Sequence, residues 1–243
     1  TIEDTTAPAV MDAMAMTVEC DGAGNAADLE AWLASNGGAT ATDACSGVTW
    51  SNDFDALSDD CGATGAATVM FTATDDCGNA TSTMATFTIE DTTAPAVMDA
   101  MAMTVECDGA GNTSELEAWL DSNGGASATD GCSGVTWSND YMVMDLDCGA
   151  TTSVMVTFTA TDACGNETST AATFAVEDTT SPEFTQVPAD QSGQCEELEF
   201  TAMASDGCSD VTIDESREVI SEDDCGNYEH VVTLTASDAC GNQ

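Results

Sequence analysis

Apolar residues along this chain alternate with polar ones in short runs. Met14, Met16, Val18 and Cys20 are separated by Ala15, Thr17 and Glu19; Val69, Phe71 and Ala73 alternate with Met70, Thr72 and Thr74; Ala85, Phe87 and Ile89 alternate with Met84, Thr86, Thr88 and Glu90. A period of two, rich in Thr and broken by Asp, Gly and Asn, predicts antiparallel strands with one buried face and one wet face. One segment departs from that period. In NAADLEAWLASNGG (25–38) Leu29, Trp32 and Leu33 fall at i, i+3 and i+4, Asn25 stands at the N-cap with Asp28 three residues on, and Asn36 and Gly37 supply the stop. The pattern predicts a short amphipathic helix. Residues 112–125 repeat it with Leu116, Trp119 and Leu120, and with Glu115 at the capping-box position. Trp32 and Trp119 are expected to pack helix on sheet. The methionines of 11–16 read as core filler rather than as a soft-metal site.

The pattern recurs. TIEDTTAP at 1–8 returns at 88–95 and as AVEDTTSP at 175–182, and Cys20, Cys45, Cys61 and Cys77 return 87 positions on as Cys107, Cys132, Cys148 and Cys164. A third set, Cys195, Cys208, Cys225 and Cys240, keeps the order but sets its first two cysteines 13 apart instead of 25, so it lacks the helical insert. A fixed period governs the reading of everything else. The chain is expected to be all-β, a tandem array of immunoglobulin-like Greek-key β-sandwich repeats with a short helical insert in the first two. Residues 1–8 would end a preceding repeat, and 9–91, 92–178 and 179–243 would be repeats one to three. The third stops at ACGNQ, where the earlier units continue through TSTMATFTIEDTTAP, so the chain is expected to be a window from a longer array.

Charge narrows the partners. Asp and Glu number 45 against one basic residue, Arg217, and one histidine, His230, for a formal charge of −44. Such a surface repels nucleic-acid phosphates and anionic lipid and attracts cations. No apolar run is long enough to insert in a membrane and no charged-then-apolar leader opens the sequence, so targeting elements are expected elsewhere in a longer polypeptide. Cysteines in even number at fixed spacing predict disulfides and an extracellular location, cell-surface or secreted. No two cysteines are separated by two residues, which excludes zinc-finger and thioredoxin-like sites.

ATDACSGVTW (41–50), VMFTATDDCGN (69–79) and ATFTIEDTTAP (85–95) together resemble the hyalin-repeat (HYR) family of immunoglobulin-like domains, most closely the tandem arrays of surface adhesins of gliding, type IX-secreting bacteria. The resemblance covers the whole chain and implies a spacer or adhesive stalk. In the third repeat, the strands between Cys195 and Cys208 and between Cys225 and Cys240 are too long for those pairs to meet, which disfavours first-to-second and third-to-fourth pairing. If the strands follow immunoglobulin order, the first and third cysteines share one pole of the sandwich and the second and fourth the other. That order predicts Cys20 with Cys61, Cys45 with Cys77, Cys107 with Cys148, Cys132 with Cys164, Cys195 with Cys225 and Cys208 with Cys240.

The same topology brings loop acids to the linker acids. Glu3 and Asp4 would meet Asp43 and Asp75; Glu90 and Asp91 would meet Asp130 and Asp162; Glu177 and Asp178 would meet Asp206 and Asp238. Hard oxygen donors from a linker and two loops suit calcium. The same aspartates also suit turns capped by their own backbone amides. Thr5, Thr92 and Thr179, in Asp-Thr-Thr triplets, resemble bacterial O-glycosylation acceptors, while Asn79, Asn112 and Asn166 lie in N-glycosylation sequons. Catalysis has no repeated machinery, because Arg217 and His230 occur once and no motif singles out a carboxylate pair. The expected function is a non-enzymatic spacer segment of a long adhesin or filament, stiffened by calcium, whose partners are neighbouring repeats. The alternative is a module binding a glycan or protein ligand, for which Trp50, Trp137 and Tyr141 are the aromatic candidates.

Overall fold

The structure is a computed structural model and describes residues 3–143, 148–192, 201–224 and 227–243. The first repeat comprises β1 (Ala9–Met11), β2 (Met16–Glu19), α1 (Ala26–Ala34), β3 (Thr40–Thr42), β4 (Val48–Asn52), β5 (Gly65–Asp75) and β6 (Ala80–Glu90). β2, β6, β5 and β4 form one sheet in that order, and β1 pairs with β3 in a second. The alternation read in the sequence sets the buried face: Val69, Phe71, Ala73, Ala85, Phe87 and Ile89 are buried. α1 covers them through Trp32, whose ring meets Phe71 edge-on at 5.2 Å and Phe87 at 5.5 Å, while its indole N–H donates to the Met14 carbonyl at 3.1 Å. Each of these aromatic burials contributes about 2–3 kcal/mol. Asn25 does sit at the N-cap of α1, but in a left-handed conformation and without capping the helix. Its side chain instead donates to the Glu19 carbonyl and to Asp28, fastening the helix entry to β2. Met11 and Met14 are largely exposed, which corrects the core-filler reading at those two positions, whereas Met16 packs against the core as expected. The core volume is already taken by Trp32 and the two phenylalanines.

The second repeat has the same parts: β7 (Ala96–Met98), β8 (Met103–Glu106), α2 (Thr113–Asp121), β9 (Ser127–Thr129), β10 (Thr136–Asn139), β11 (Thr152–Thr161) and β12 (Glu167–Glu177). Its main sheet runs β10-β11-β12-β8, and Trp119 packs on Phe158 and Phe174 as Trp32 packs on Phe71 and Phe87. Asn112 likewise precedes α2 without capping it, and Glu115 accepts from the Ser114 hydroxyl. The third repeat contributes β13 (Glu183–Gln186) paired with β14 (Met203–Ser205), and the long hairpin of β15 (Val211–Glu222) and β16 (Tyr228–Asp238).

Register fixes two poles in the first repeat. β2 lies parallel to β6, with Met16 opposite Phe87 and Glu19 opposite Glu90, so Cys20 leaves the sheet at the end where β6 runs into the linker. β5 starts at that end, Gly65 opposite Ile89, just after Cys61. It finishes at the other end, where Asp75 faces Val48 and the loops carrying Cys45 and Cys77 lie. The chain divides into two compact units that do not coincide with the repeats: 1–98 with 127–138 and 159–169, and 99–126 with 139–158 and 170–243. The first unit holds repeat one with the loop pole of repeat two; the second holds the body of repeat two with repeat three.

Candidate functional site at the repeat junctions

Four disulfides occur among the described residues, and each crosses a repeat boundary. In the first unit Cys20 is bonded to Cys132 and Cys61 to Cys164, with Cα atoms 5.9 and 5.1 Å apart. In the second, Cys107 is bonded to Cys208 and Cys148 to Cys240, at 5.9 and 5.3 Å. The expected bonds of Cys20 with Cys61, Cys107 with Cys148, Cys132 with Cys164 and Cys208 with Cys240 are therefore not formed. Cys45 and Cys77, expected to pair, are exposed thiols. The bond expected between Cys195 and Cys225 lies outside the described residues. In the first repeat the polarity is as expected, since Cys20 and Cys61 share one pole and Cys45 and Cys77 the other. What the reading omitted is that a pole meets the opposite pole of the next repeat, and the sulfurs join across that boundary instead of within the pole. Disulfides of this kind persist in oxidising compartments, which makes the protein extracellular or secreted. Among the described residues no helix is long and apolar enough to cross a membrane.

Glycine permits the close approach. Gly62 has φ +61°, and a Cβ there would lie 2.6 Å from Ser133 Cβ and 2.7 Å from the Cys132 carbonyl oxygen. Gly149 stands the same way against Ser209 and Cys208. Ala63 N–H donates across the boundary to the Cys132 carbonyl at 3.1 Å.

A second set of contacts fixes the linker. Glu19 accepts from the Thr92 N–H and hydroxyl, both at 2.9 Å, and from the Thr93 hydroxyl at 2.8 Å. Glu106 holds Thr179 and Thr180 in the same way. The Thr92 N–H, then the Thr93 and Thr92 hydroxyls, hold the Glu19 carboxyl below its ordinary range. Neither glutamate stood out in the sequence, although Val-Glu-Cys precedes both first cysteines. Asn166 donates to the Asp91 carbonyl at 3.0 Å and Asn242 to that of Asp178 at 3.0 Å. The amide of Asn166 is thus engaged, and Asn112 is buried and bonded to the Glu106 carbonyl, so these sequons are structural positions in the native fold. Asn79 is held likewise by Asp75 and Asp4.

The predicted acidic residues divide by role. Asp130 accepts from the N–H groups of Cys132 and Ser133, and Asp162 from those of Cys164 and Asn166 and from the Asn166 amide, so both cap turns. Asp206 and Asp238 repeat this at the second junction, Asp43 and Asp75 in the first repeat. The linker aspartates differ. Asp91 uses one oxygen to accept from the Thr93 N–H, and its Oδ2 is buried with no hydrogen-bond partner; Asp178 Oδ2 and Asp4 Oδ2 are the same. Asp91 and Asp178 are each 9% exposed. Burial first, then the charges of Asp130, Asp162 and Glu19, pushes the Asp91 carboxyl above its ordinary range, and Asp178 is raised by burial and by Asp206, Asp238 and Glu106. Donor atoms of Asp91, Asp130 and Cys132 lie within 4.8 Å of one another, as do those of Asp178, Asp206 and Cys208, and of Asp4, Asp43 and Cys45. Cys132 and Cys208 are disulfide sulfurs, so the donors shared by all three groups are carboxylate oxygens. Glu3, Glu90 and Glu177 are exposed and fall outside these groups. Trp50, Trp137 and Tyr141 are half-buried, and Trp50 packs against the core of the first repeat.

No protein-family model matches the sequence, and no curated protein matches it. Among solved structures, tandem cadherin domains are similar to it. Mouse cadherin-23 EC22-24 has 12% identity and a TM-score of 0.33, covering 96% of this chain and 94% of that one. Protocadherin gamma B7 domains 1-4 have 12% identity and a TM-score of 0.29, over 96% and 68%. Drosophila N-cadherin EC1-4 has 12% identity and a TM-score of 0.30, over 71% and 50%.

Proposed function

We propose that the chain is a structural spacer of a long extracellular adhesin or surface filament, one that holds its reach because its junctions cannot hinge. The observation that carries this reading is the pair of disulfides at each described boundary. Cys20 follows β2, the linker continues β6 and Cys61 leads into β5, three adjacent strands of one sheet. Neighbouring strands lie about 4.8 Å apart, so three covalent crossings are spread over roughly 10 Å. A single linker would leave bending free; three crossings oppose it. A divalent cation, calcium by the hardness of the oxygen donors, would be held at the junctions by Asp91 with Asp130 and by Asp178 with Asp206, and would neutralise the buried unpartnered oxygens of Asp91 and Asp178. The motifs resembling hyalin repeats support placing the array on a bacterial surface.

Small-angle scattering of the oxidised and reduced chain tests the mechanical part, with circular dichroism to confirm that the strands persist. Reduction is expected to broaden the distribution of end-to-end distances. Superimposable profiles from two folded samples would remove the stiffening role of the disulfides.

A further inference from the structure

The receiving side of each described junction is a recurring kit. It has an aspartate turn ending in a cysteine (Asp130 and Cys132; Asp206 and Cys208), a hairpin turn with aspartate, cysteine and asparagine (Asp162, Cys164, Asn166; Asp238, Cys240, Asn242) and a linker aspartate whose carbonyl takes the asparagine amide. The first repeat carries the same kit in the same hydrogen-bonded form. Asp43 accepts from the Cys45 N–H at 2.8 Å and the Ser46 N–H at 3.0 Å. Asp75 accepts from the N–H groups of Cys77 at 2.9 Å and Asn79 at 2.8 Å, and the Asn79 amide donates to the Asp4 carbonyl at 3.2 Å. One thing differs. Cys132, Cys164, Cys208 and Cys240 are half-buried and bonded, whereas Cys45 and Cys77 are exposed thiols.

The surroundings of Cys77 disfavour a reactive-thiol role. Desolvation, then the charges of Asp4, Asp75 and Asp76, pushes the Cys77 thiol above its ordinary range, the reverse of what a nucleophilic or redox-active cysteine requires.

We propose that Cys45 and Cys77, with the Asp4 linker, form the receiving half of a further junction, which takes a second repeat of the same kind through two disulfides. The register of the two described junctions fixes the partners. A first-position cysteine, like Cys20, bonds Cys45, and a third-position cysteine, like Cys61, bonds Cys77. The incoming repeat also brings a glycine at the position of Gly62 to clear Ser46, as Gly62 clears Ser133. Each bond forms when two thiols give up two protons and two electrons to a low-molecular-weight disulfide, such as oxidised glutathione, which leaves as two thiols.

By sequence, Cys195 and Cys225 occupy the first and third positions of their set, so a second copy of the chain offers the required pair. The 243-residue chain, reduced and then oxidised in a glutathione buffer at high protein concentration, is compared with its Cys45→Ser, Cys77→Ser double variant by non-reducing electrophoresis and peptide mapping. The result expected is a ladder in steps of 24.8 kDa that collapses on reduction and is absent from the double variant, with Cys45 joined to Cys195 and Cys77 to Cys225. A bond between Cys45 and Cys77 would overturn the proposal. So would their recovery as thiols or glutathione adducts while the four described bonds form.

Discussion

Asp91 is the residue at which the cation reading stands or falls, because the same substitution should act in opposite directions with and without the ion. Without a cation, Asp91 Oδ2 is a buried carboxylate oxygen with no donor, near Asp130, Asp162 and Glu19. Its folded-state carboxyl is raised above the ordinary 3.8, so between those values the native state holds the proton more tightly than the unfolded chain. Stability in chelator should therefore fall as pH rises through that window, and Asp91→Asn should raise stability near neutrality by removing a buried unpaired charge. With calcium the sign reverses. A site of the affinity common in extracellular modules, about 10⁻⁴ to 10⁻³ M, stabilises by about 1.4–2.7 kcal/mol at 10–100 times its dissociation constant. Two described junctions double that to about 3–5 kcal/mol, and a chain of this size gains roughly 2–4 °C in Tm per kcal/mol. Asp91→Asn should forfeit one site's share, and Asp91→Asn with Asp178→Asn both. The assay is thermal melting of the parent and variants in 10 mM calcium and in chelator. An equal change from Asp91→Asn in both buffers would refute the reasoning, as would parent curves that coincide.

Trp32→Ala should cost about 3–5 kcal/mol in chemical denaturation, because the ring covers Phe71 and Phe87 and its N–H serves the Met14 carbonyl; a cost under 1 kcal/mol would place the helix outside the core. Gly62→Ala should cost about 2 kcal/mol from its positive φ and the contact with Ser133, and thiol titration should show Cys61 and Cys164 failing to close in part of the population. With the neighbouring disulfide intact, the ring closed by Cys20 and Cys132 spans about 73 residues, from Cys20 to Cys61 and from Cys132 to Cys164, so Cys20→Ser should cost about 4 kcal/mol in the chain-entropy model. Adding Cys132→Ser should cost almost nothing more, whereas additive losses would deny that the two are partners. Glu19 is held below its ordinary range, so the stability it provides is present above 4.5 and lost as pH falls through the lowered value; Glu19→Gln should flatten that acid-side loss in a pH series of melts.

Strands, helices and poles were legible because each leaves a local periodic mark. Phe71 and Phe87 fall where period-two alternation puts them, and Leu29, Trp32 and Leu33 where a helix needs them. The linker aspartates also stand out in the sequence, since Asp91 and Asp178 repeat 87 positions apart. Disulfide partners were not legible. Cys20 and Cys132 are separated by 112 residues, and no local pattern states that one repeat's exit pole touches the next one's entry pole. A cue existed in Gly62 and Gly149, glycines directly after third cysteines, which serve a close approach that a lone sandwich would not need. Of the two readings of the aspartates, turn capping is what Asp130 and Asp162 do, while Asp91 leaves one oxygen buried and unpartnered.

Non-reducing peptide mapping tests the central claim most directly. Digestion without reduction should yield Cys20 joined to Cys132, Cys61 to Cys164, Cys107 to Cys208 and Cys148 to Cys240. Peptides joining Cys20 to Cys61 or Cys107 to Cys148 would show repeats closed on themselves and linked by a single strand of chain, and the non-hinging junction would be contradicted.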